Sequence, residues 1–206
     1  MVANSTASHW DAAYAAGDNT HGWFQPHPDL SLRMLDTAGV PADASVVDVG
    51  GGTSPLAGVL LERGYRDVTV LDFSTAGMAC AQQRLGDRAA RVEWLVADVR
   101  TWEPRRCYDV WHDRAVFHFL TTSEDRQQYL QALDSATEPG AIAVFGCFAH
   151  DGPRQCSGLP VARYSSLDLA DQLGTKWILT SHAREAHVTP AGVIQPFCWT
   201  ALRKQA

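Results

Sequence analysis

Residues 46–55 combine residue types and spacing that suit a bound nucleotide. A short apolar run leads into the glycines Gly50–Gly52 and then into the start of a predicted helix. Glycines let the backbone approach a ligand closely, and a helix N-terminus offers unpaired N–H groups. Gly50 and Gly52 match the first half of a dinucleotide fingerprint, but Pro55 stands where the third glycine belongs, which counts against NAD.

Three acidic residues, Asp48, Asp72 and Asp98, close successive predicted strands. Ligands of open α/β sheets bind outside the carboxyl ends of the strands, so we expect these carboxylates to converge on the Gly50–Gly52 turn. Asp72 comes 24 residues after Asp48, a spacing that suits acceptance of two ribose hydroxyl hydrogen bonds. One such aspartate alone is as consistent with a helix cap, but three in register favour a nucleoside site.

The stretch Trp111–Leu120 follows the fourth predicted strand and offers polar side chains for acid–base chemistry. Asp113 and His118 are candidates to accept a proton from a substrate. The alternatives are an Asp113–Arg114 pair that braces the loop and a half-buried His118 that packs between two phenylalanines.

A third candidate base, His187, lies with Glu185 and Thr189 in a predicted connection near the C-terminus. This connection should rim the same cavity. Its alternative is a turn stabilised by local hydrogen bonds.

The five cysteines are scattered, and we interpret them as reduced thiols. Cys147, His150 and Cys156 suggest a metal site, but zinc needs a fourth ligand that the sequence does not offer, so no metal is expected. Cys80 and Cys107 are typical of packing residues.

Apolar runs alternate with helical patterns, which predicts a parallel sheet with helices on both faces. Two strands, 176–183 and 195–202, end the chain; the connection between them is too short for a crossover helix, so we expect an antiparallel hairpin. The predicted strands are 45–49, 68–71, 92–96, 108–112 and 141–147, and the predicted helices are 28–38, 54–63, one after Ser74 or Thr75, 122–136 with a Thr121–Glu124 capping box, and 166–173.

The composition indicates one globular domain of 206 residues, with 46% hydrophobic and 19% charged residues. We divide it into an N-terminal arm or lid (1–27) and a core (28–206). The net charge of −6 argues against nucleic acid as a partner, and no run is long enough to span a membrane. Without a visible signal sequence, the expected location is the cytoplasm.

Over residues 28–203 the sequence resembles the class I S-adenosylmethionine-dependent methyltransferases, through the Gly50–Ser54 turn, the three aspartates and the terminal hairpin. Ser54 replaces the third glycine frequent in that family. The stretches 23–25, 111–119 and 187–192 are similar to a group of small bacterial methyltransferases, which in turn resembles lysine methyltransferases of elongation factor or citrate synthase.

The resemblance implies a Rossmann-like seven-stranded sheet and a role for each matching residue. Asp48 and the turn would face the methionine portion of the cofactor, Asp72 would hold the ribose, and Asp98 with Val99 would hold the adenine. The complete expected set for S-adenosylmethionine is Trp23, Asp48, Gly50, Gly51, Gly52, Ser54, Asp72, Phe73, Asp98, Val99 and Asp113.

The expected activity is methyl transfer to a small-molecule nucleophile, with a thiol preferred because it loses its proton more easily than an amine. Trp23 and Phe24 would help to enclose the acceptor, whereas Trp177 and Trp199 are more typical of core. A protein lysine acceptor is the alternative within the same enzyme class. A non-catalytic module that binds the cofactor and acts through partners is the alternative from another class.

Overall fold

The sheet is built from the short β-branched runs of the sequence. The computed structural model describes residues 7–15 and 21–206 of the chain. Its strands are β1 (Ser45–Val49), β2 (Asp67–Asp72), β3 (Val92–Val96), β4 (Val110–Arg114), β5 (Ile142–Phe148), β6 (Gln155–Cys156), β7 (Leu159–Pro160), β8 (Trp177–Val188) and β9 (Ile194–Lys204).

Seven of these strands form one sheet in the order β3-β2-β1-β4-β5-β9-β8, and β6 pairs with β7 separately. The strands from β3 to β5 are parallel, whereas β9 is antiparallel to both β5 and β8. The order reverses direction between β1 and β4, which is where ligands of such sheets bind. The predicted fold, including the C-terminal hairpin, is confirmed.

Helices cover both faces of the sheet and bury two apolar layers against it. One layer contains Leu32, Leu60 and Trp199, and the other contains Trp111, Phe117 and Phe145. The helices are α1 (Ala7–Ala15), α2 (Asp29–Thr37), α3 (Leu56–Glu62), α4 (Thr75–Leu85), α5 (Ser123–Ser135) and α6 (Ser166–Leu173). No helix of the described residues is long and apolar enough to cross a membrane.

The predicted cap of α5 is wrong by one residue. Thr122, in an extended conformation, accepts a hydrogen bond from the backbone N–H of Asp125 at 3.1 Å, so the capping pair is not Thr121 and Glu124. Arg100 donates to the Asp125 carboxylate at 2.7 Å. A contact from a distant segment therefore adds to the local cap.

Some strand boundaries differ from prediction because backbone groups near the strand end form hydrogen bonds with residues outside the sheet. β4 begins at Val110 rather than at Tyr108, whose N–H donates to Ala136 O instead. Arg114 is therefore the last residue of the strand. Strands β8 and β9 extend to Val188 and from Ile194, so the hairpin connection is shorter than predicted.

Candidate functional site

A cavity opens at the carboxyl ends of β1, β2 and β4, beside the point where the strand order reverses. Its polar wall includes Asp48, Gly50, Gly51, Ser54, Asp72 and Asp98. Its apolar wall includes Trp10, Tyr14, Trp23, Phe24, Val116 and Phe119. The cavity thus brings together most of the cofactor-binding residues expected from the sequence, including Trp23, Phe73 and Val99.

The glycine turn is packed so closely that side chains do not fit. Gly50 has φ +66°, and a Cβ there would lie 2.0 Å from Val116 Cγ2. Gly52 has φ +27°, and its Cβ would lie 2.6 Å from the Tyr14 hydroxyl and 2.9 Å from Asp72 Oδ2. Sterics, not only turn geometry, therefore require glycine at both positions.

Asp72 ends β2 with only 4% of its surface exposed, at the cavity wall. The backbone N–H of Ser74 donates to its Oδ1 at 2.8 Å, and Gly52 and Phe73 also donate to its carboxylate. Burial raises the pKa of Asp72 to about 6, although these hydrogen bonds oppose the rise. The carboxylate is held rigidly and has lone pairs left for hydroxyl donors.

Asp48 lies inside β1 rather than after it, paired across the sheet with His112. Its Oδ1 accepts from His112 Nδ1 at 2.7 Å, and His112 Nε2 lies 2.9 Å from Ser31 Oγ. Asp48 Oδ2 is buried and has no hydrogen-bond partner among the described residues. This oriented, unpartnered oxygen is suited to an ammonium donor from a ligand in the cavity.

Asp98 lies at the far end of the polar wall and is paired with Arg100. The Arg100 guanidinium donates to Asp98 Oδ2 at 2.6 Å and to Asp125 Oδ1 at 2.7 Å. Burial acts to raise the pKa of Asp98, but the hydrogen bonds and charge of Arg100 outweigh it and the pKa is lowered. Asp98 is thus ionised, and buried Val99 beside it gives the wall an apolar surface.

Helix α1 and residues 21–28 cover the cavity with aromatic rings. Trp10 packs edge-on against Trp23 and Phe119, at centroid distances of 5.4 and 5.2 Å. Asp11 fastens α1 to the start of α4 by accepting hydrogen bonds from Ser74 Oγ and Ala76 N. Sequence periodicity did not identify this cover, because its rings meet through tertiary packing.

None of the three predicted bases lines the cavity. Asp113 is fully buried on the other side of β4, where Tyr129 Oη and the N–H groups of Val116 and Phe117 donate to it. Burial raises its pKa to about 6. Asp113 therefore braces the loop after β4, through partners other than the predicted Arg114, and does not line the cavity.

His118 is also fully buried, and its Nδ1 accepts from Phe148 N at 3.4 Å. Desolvation, together with the nearby charge of Arg114, lowers its pKa to about 3. It is therefore a neutral packing histidine in this arrangement, which is the alternative that the sequence left open.

His187 likewise does not line the cavity but fastens its cover. Its Nε2 lies 2.6 Å from Gly22 O, so it can donate to the backbone that leads into Trp23. Glu185 accepts from Gln25 Nε2 and from Trp199 Nε1, both at 2.7 Å. Strand β8 therefore anchors the N-terminal segment through polar contacts.

The cysteines and His150 are dispersed through the fold. His150 pairs with Asp168 at 2.7 Å, Cys147 is buried in the core, and Cys156 lines the cavity. Cys80 is half-buried and Cys107 is exposed, so the expected packing role does not fit Cys107. No three His, Cys, Asp or Glu side chains of the described residues are grouped as metal ligands.

Arg114 is a cavity residue whose environment the sequence did not reveal. Its Nη1 donates to Trp23 O at 2.9 Å, and its guanidinium carbon lies 4.9 Å from the centre of the Phe197 ring. Both contacts come from segments far away in sequence. The spacing of residues along the chain therefore cannot predict these contacts.

Residues 46–140 match a sequence family described as a methyltransferase domain. EEF1A lysine methyltransferase 2 of Mus musculus is 29% identical over 159 residues, which cover 69% of this chain and 65% of that protein. The chain thus spans just under two thirds of this relative's length.

Two solved structures have the same architecture across almost the whole chain. One, described under the conversion of a disulfide bond into a thioacetal group during echinomycin biosynthesis, has a TM-score of 0.75 at 23% identity and covers 97% of this chain and 93% of its own. The other, 1,6-didemethyltoxoflavin-N1-methyltransferase of Burkholderia thailandensis, has a TM-score of 0.70 at 19% identity and covers 97% and 87%. At these identities the likeness establishes the fold.

Proposed function

Because the chain carries a methyltransferase domain with the class I, S-adenosylmethionine-dependent fold, we propose that it transfers a methyl group from S-adenosylmethionine to a small-molecule nucleophile. The observation that carries this proposal is the two-sided cavity. Buried carboxylates and a glycine turn line one side, and aromatic rings line the other.

The polar wall fits the cofactor by its donors and acceptors. Asp72 would accept from the ribose hydroxyls, and the unpartnered Asp48 Oδ2 would accept from the ammonium of the methionine portion. Asp98 and Val99 would border the adenine. When bound, S-adenosylmethionine supplies an electrophilic methyl group on a sulfonium.

The apolar wall fits an acceptor that is enclosed and oriented by packing. Trp10, Trp23 and Phe119 would exclude water and restrict the acceptor to an in-line approach, and such positioning supplies much of the acceleration of a two-reactant step. The chain contributes orientation here, rather than a strong base.

A thiol remains the preferred acceptor. Among the described residues, the cavity wall contains no histidine or lysine that could act as a base, and its carboxylates lie on the cofactor side. A thiol, with a pKa near 8.5, needs less help to ionise than a lysine, with a pKa near 10.4.

Protein lysine methylation is the second candidate, favoured by the 29% identity to an EEF1A lysine methyltransferase. For a lysine acceptor, a protein substrate would have to insert its side chain into the cavity beside the aromatic cover. The two candidates differ in which molecules become methylated.

Incubation with methyl-labelled S-adenosylmethionine and separated small-molecule and protein fractions of a cell extract tests the proposal. We expect label in the small-molecule fraction, and less of it with the Asp72→Asn variant at a cofactor concentration that does not saturate the variant. Label only in proteins would favour the lysine candidate. Binding of the cofactor without release of S-adenosylhomocysteine in either fraction would favour a non-catalytic module.

A further inference from the structure

Arg114 lines the cavity, and one edge of its guanidinium group is buried beside it without a hydrogen-bond partner among the described residues. It ends β4, lines the cavity, and uses Nη1 for a hydrogen bond to Trp23 O. Its Nε and Nη2 are shielded from solvent and have no hydrogen-bond partner among the described residues. A buried guanidinium that is left half-satisfied in this way calls for an explanation.

The two unpaired nitrogens have the geometry of a two-pronged hydrogen-bond donor. Nε and Nη2 lie on the same edge of the planar guanidinium, so their N–H groups point in parallel. This fork matches the two oxygens of a carboxylate, which it binds through two parallel hydrogen bonds. A chloride or a lone hydroxyl would use only part of it.

Among residues 7–15 and 21–206, no carboxylate lies at hydrogen-bonding distance of this edge. The Glu185 carboxylate is occupied by Gln25 and Trp199, and Asp48 Oδ1 is occupied by His112. Glu185 and Asp48 act on Arg114 only through longer-range attraction, and desolvation outweighs them, so the pKa of Arg114 is lowered to about 10. Arg114 is still a cation at neutral pH and gains by pairing with an anion.

We propose that the Nε–Nη2 edge of Arg114 is a carboxylate-binding subsite of the cavity. Because this inference deepens the proposed function, the carboxylate would belong either to the acceptor or to the amino-acid end of the cofactor, the two ligands the cavity would take. In the first case the acceptor is a small acid, and a cationic lysine side chain is disfavoured beside the same guanidinium.

Calorimetry with two matched pairs of probes distinguishes these sources. The acceptor pair is 2-mercaptobenzoate and 2-mercaptobenzamide, titrated into the protein. The cofactor pair is S-adenosylhomocysteine and its decarboxylated analogue, which keeps the ammonium group. The variants are Arg114→Gln, which removes the charge, and Arg114→Lys, which keeps the charge but loses the fork.

Arg184→Gln is the matched control. It removes the same charge from exposed Arg184 on β8, whose partner is Asp151 and which does not line the cavity. The thermal midpoint of each variant, measured without ligand, verifies that it is folded. Arg114→Lys remains informative if Arg114→Gln does not fold.

We expect wild type and Arg184→Gln to prefer the carboxylate member of one pair about ten- to a hundredfold. Arg114→Gln should lose that preference while its affinity for the other member stays unchanged, and Arg114→Lys should lose part of it. Wild type without a carboxylate preference in either pair, or a preference that survives Arg114→Gln, overturns the inference. Failure of wild type to bind S-adenosylhomocysteine at all would instead refute the proposed function, because the mercaptobenzoate pair is titrated without it.

Discussion

The polar and apolar walls of the cavity are built in different ways. The polar wall uses short segments that lie at or within a few residues after a strand end: 48–54, 72–74 and 98–100. The apolar wall is assembled from α1, the segment 21–28 and the loop after β4, which meet only in the folded chain. The first wall is therefore set by local sequence, and the second depends on tertiary packing.

We therefore expect substitutions in the two walls to have effects of different size on ligand binding. A change in the polar wall should weaken binding of the cofactor strongly, because the glycine turn is closely packed and the Asp72 carboxylate is held by backbone hydrogen bonds. A change in the apolar wall should weaken closure and acceptor selection in smaller steps. The predictions below test that ranking from the largest effect to the smallest.

Gly50→Ala should have the largest effect. Its Cβ would lie 2.0 Å from Val116 Cγ2 at a φ of +66°, so we expect a loss of about 2–5 kcal/mol in the free energy of unfolding from overpacking and backbone strain. Gly39→Ala is the control, because Gly39, just after the end of α2, has φ +72° but nothing within 4 Å, and should cost only about 1–2 kcal/mol. Chemical denaturation measures the free energy of unfolding of both variants. Equal losses in the two would mean that close packing is not the reason for glycine at position 50.

Asp72→Asn should weaken S-adenosylhomocysteine binding about ten- to a hundredfold, since it removes the charge that strengthens two hydroxyl hydrogen bonds. Asp67→Asn, at the other end of β2 and paired with Arg106, should leave the affinity unchanged. Calorimetry on both variants makes the comparison. The same affinity in the two would remove Asp72 from the cofactor site.

The affinity of wild type for S-adenosylhomocysteine should rise about tenfold from pH 5 to pH 7, because the ionised form of Asp72 is the better acceptor. The sign follows from its raised pKa of about 6: binding is lost as the pH falls through this value. Without ligand, the same shift makes Asp72 lower the stability of the fold as pH rises from about 4 to 6. Asp72→Asn should bind with a flat profile over this range, and a wild-type profile that is equally flat would contradict the assignment.

His187→Ala should have the smallest effect, since it removes one hydrogen bond to the backbone of the cover. We predict that the arm, residues 1–27, acts as a lid, so S-adenosylhomocysteine should slow proteolysis within it. The variant should reduce that protection about two- to tenfold, as expected for one neutral hydrogen bond. Equal rates of cleavage of the wild-type arm with and without S-adenosylhomocysteine would refute its role as a lid.

The sequence predicted that three aspartates near strand ends meet at one edge of the sheet, and all three line the same cavity. Asp48, Asp72 and Asp98 are separated by whole strand–helix units, so parallel topology alone brings them to one edge. The sequence predicted residues 1–27 to be an arm or lid but not the contacts of its rings, and part of it, residues 1–6 and 16–20, lies outside the described residues.

The positions of the candidate bases were harder to predict, because the alternation of side chains along a strand decides which face of the sheet each one lies on. A two-residue shift in the start of β4 puts both Asp113 and Arg114 inside the strand. Neighbouring strand residues point to opposite faces, so Asp113 meets Tyr129 while Arg114 reaches the cavity. Exact strand ends, which depend on competing contacts such as that of Tyr108 N with Ala136 O, cannot be derived from periodicity.

A crystal structure of the complex with S-adenosylhomocysteine tests the central claim most directly. The account predicts that the ribose hydroxyls lie within hydrogen-bonding distance of the Asp72 carboxylate, with the sulfur directed towards Trp23 and Phe119. A ligand bound elsewhere, or one whose ribose does not contact Asp72, would contradict it.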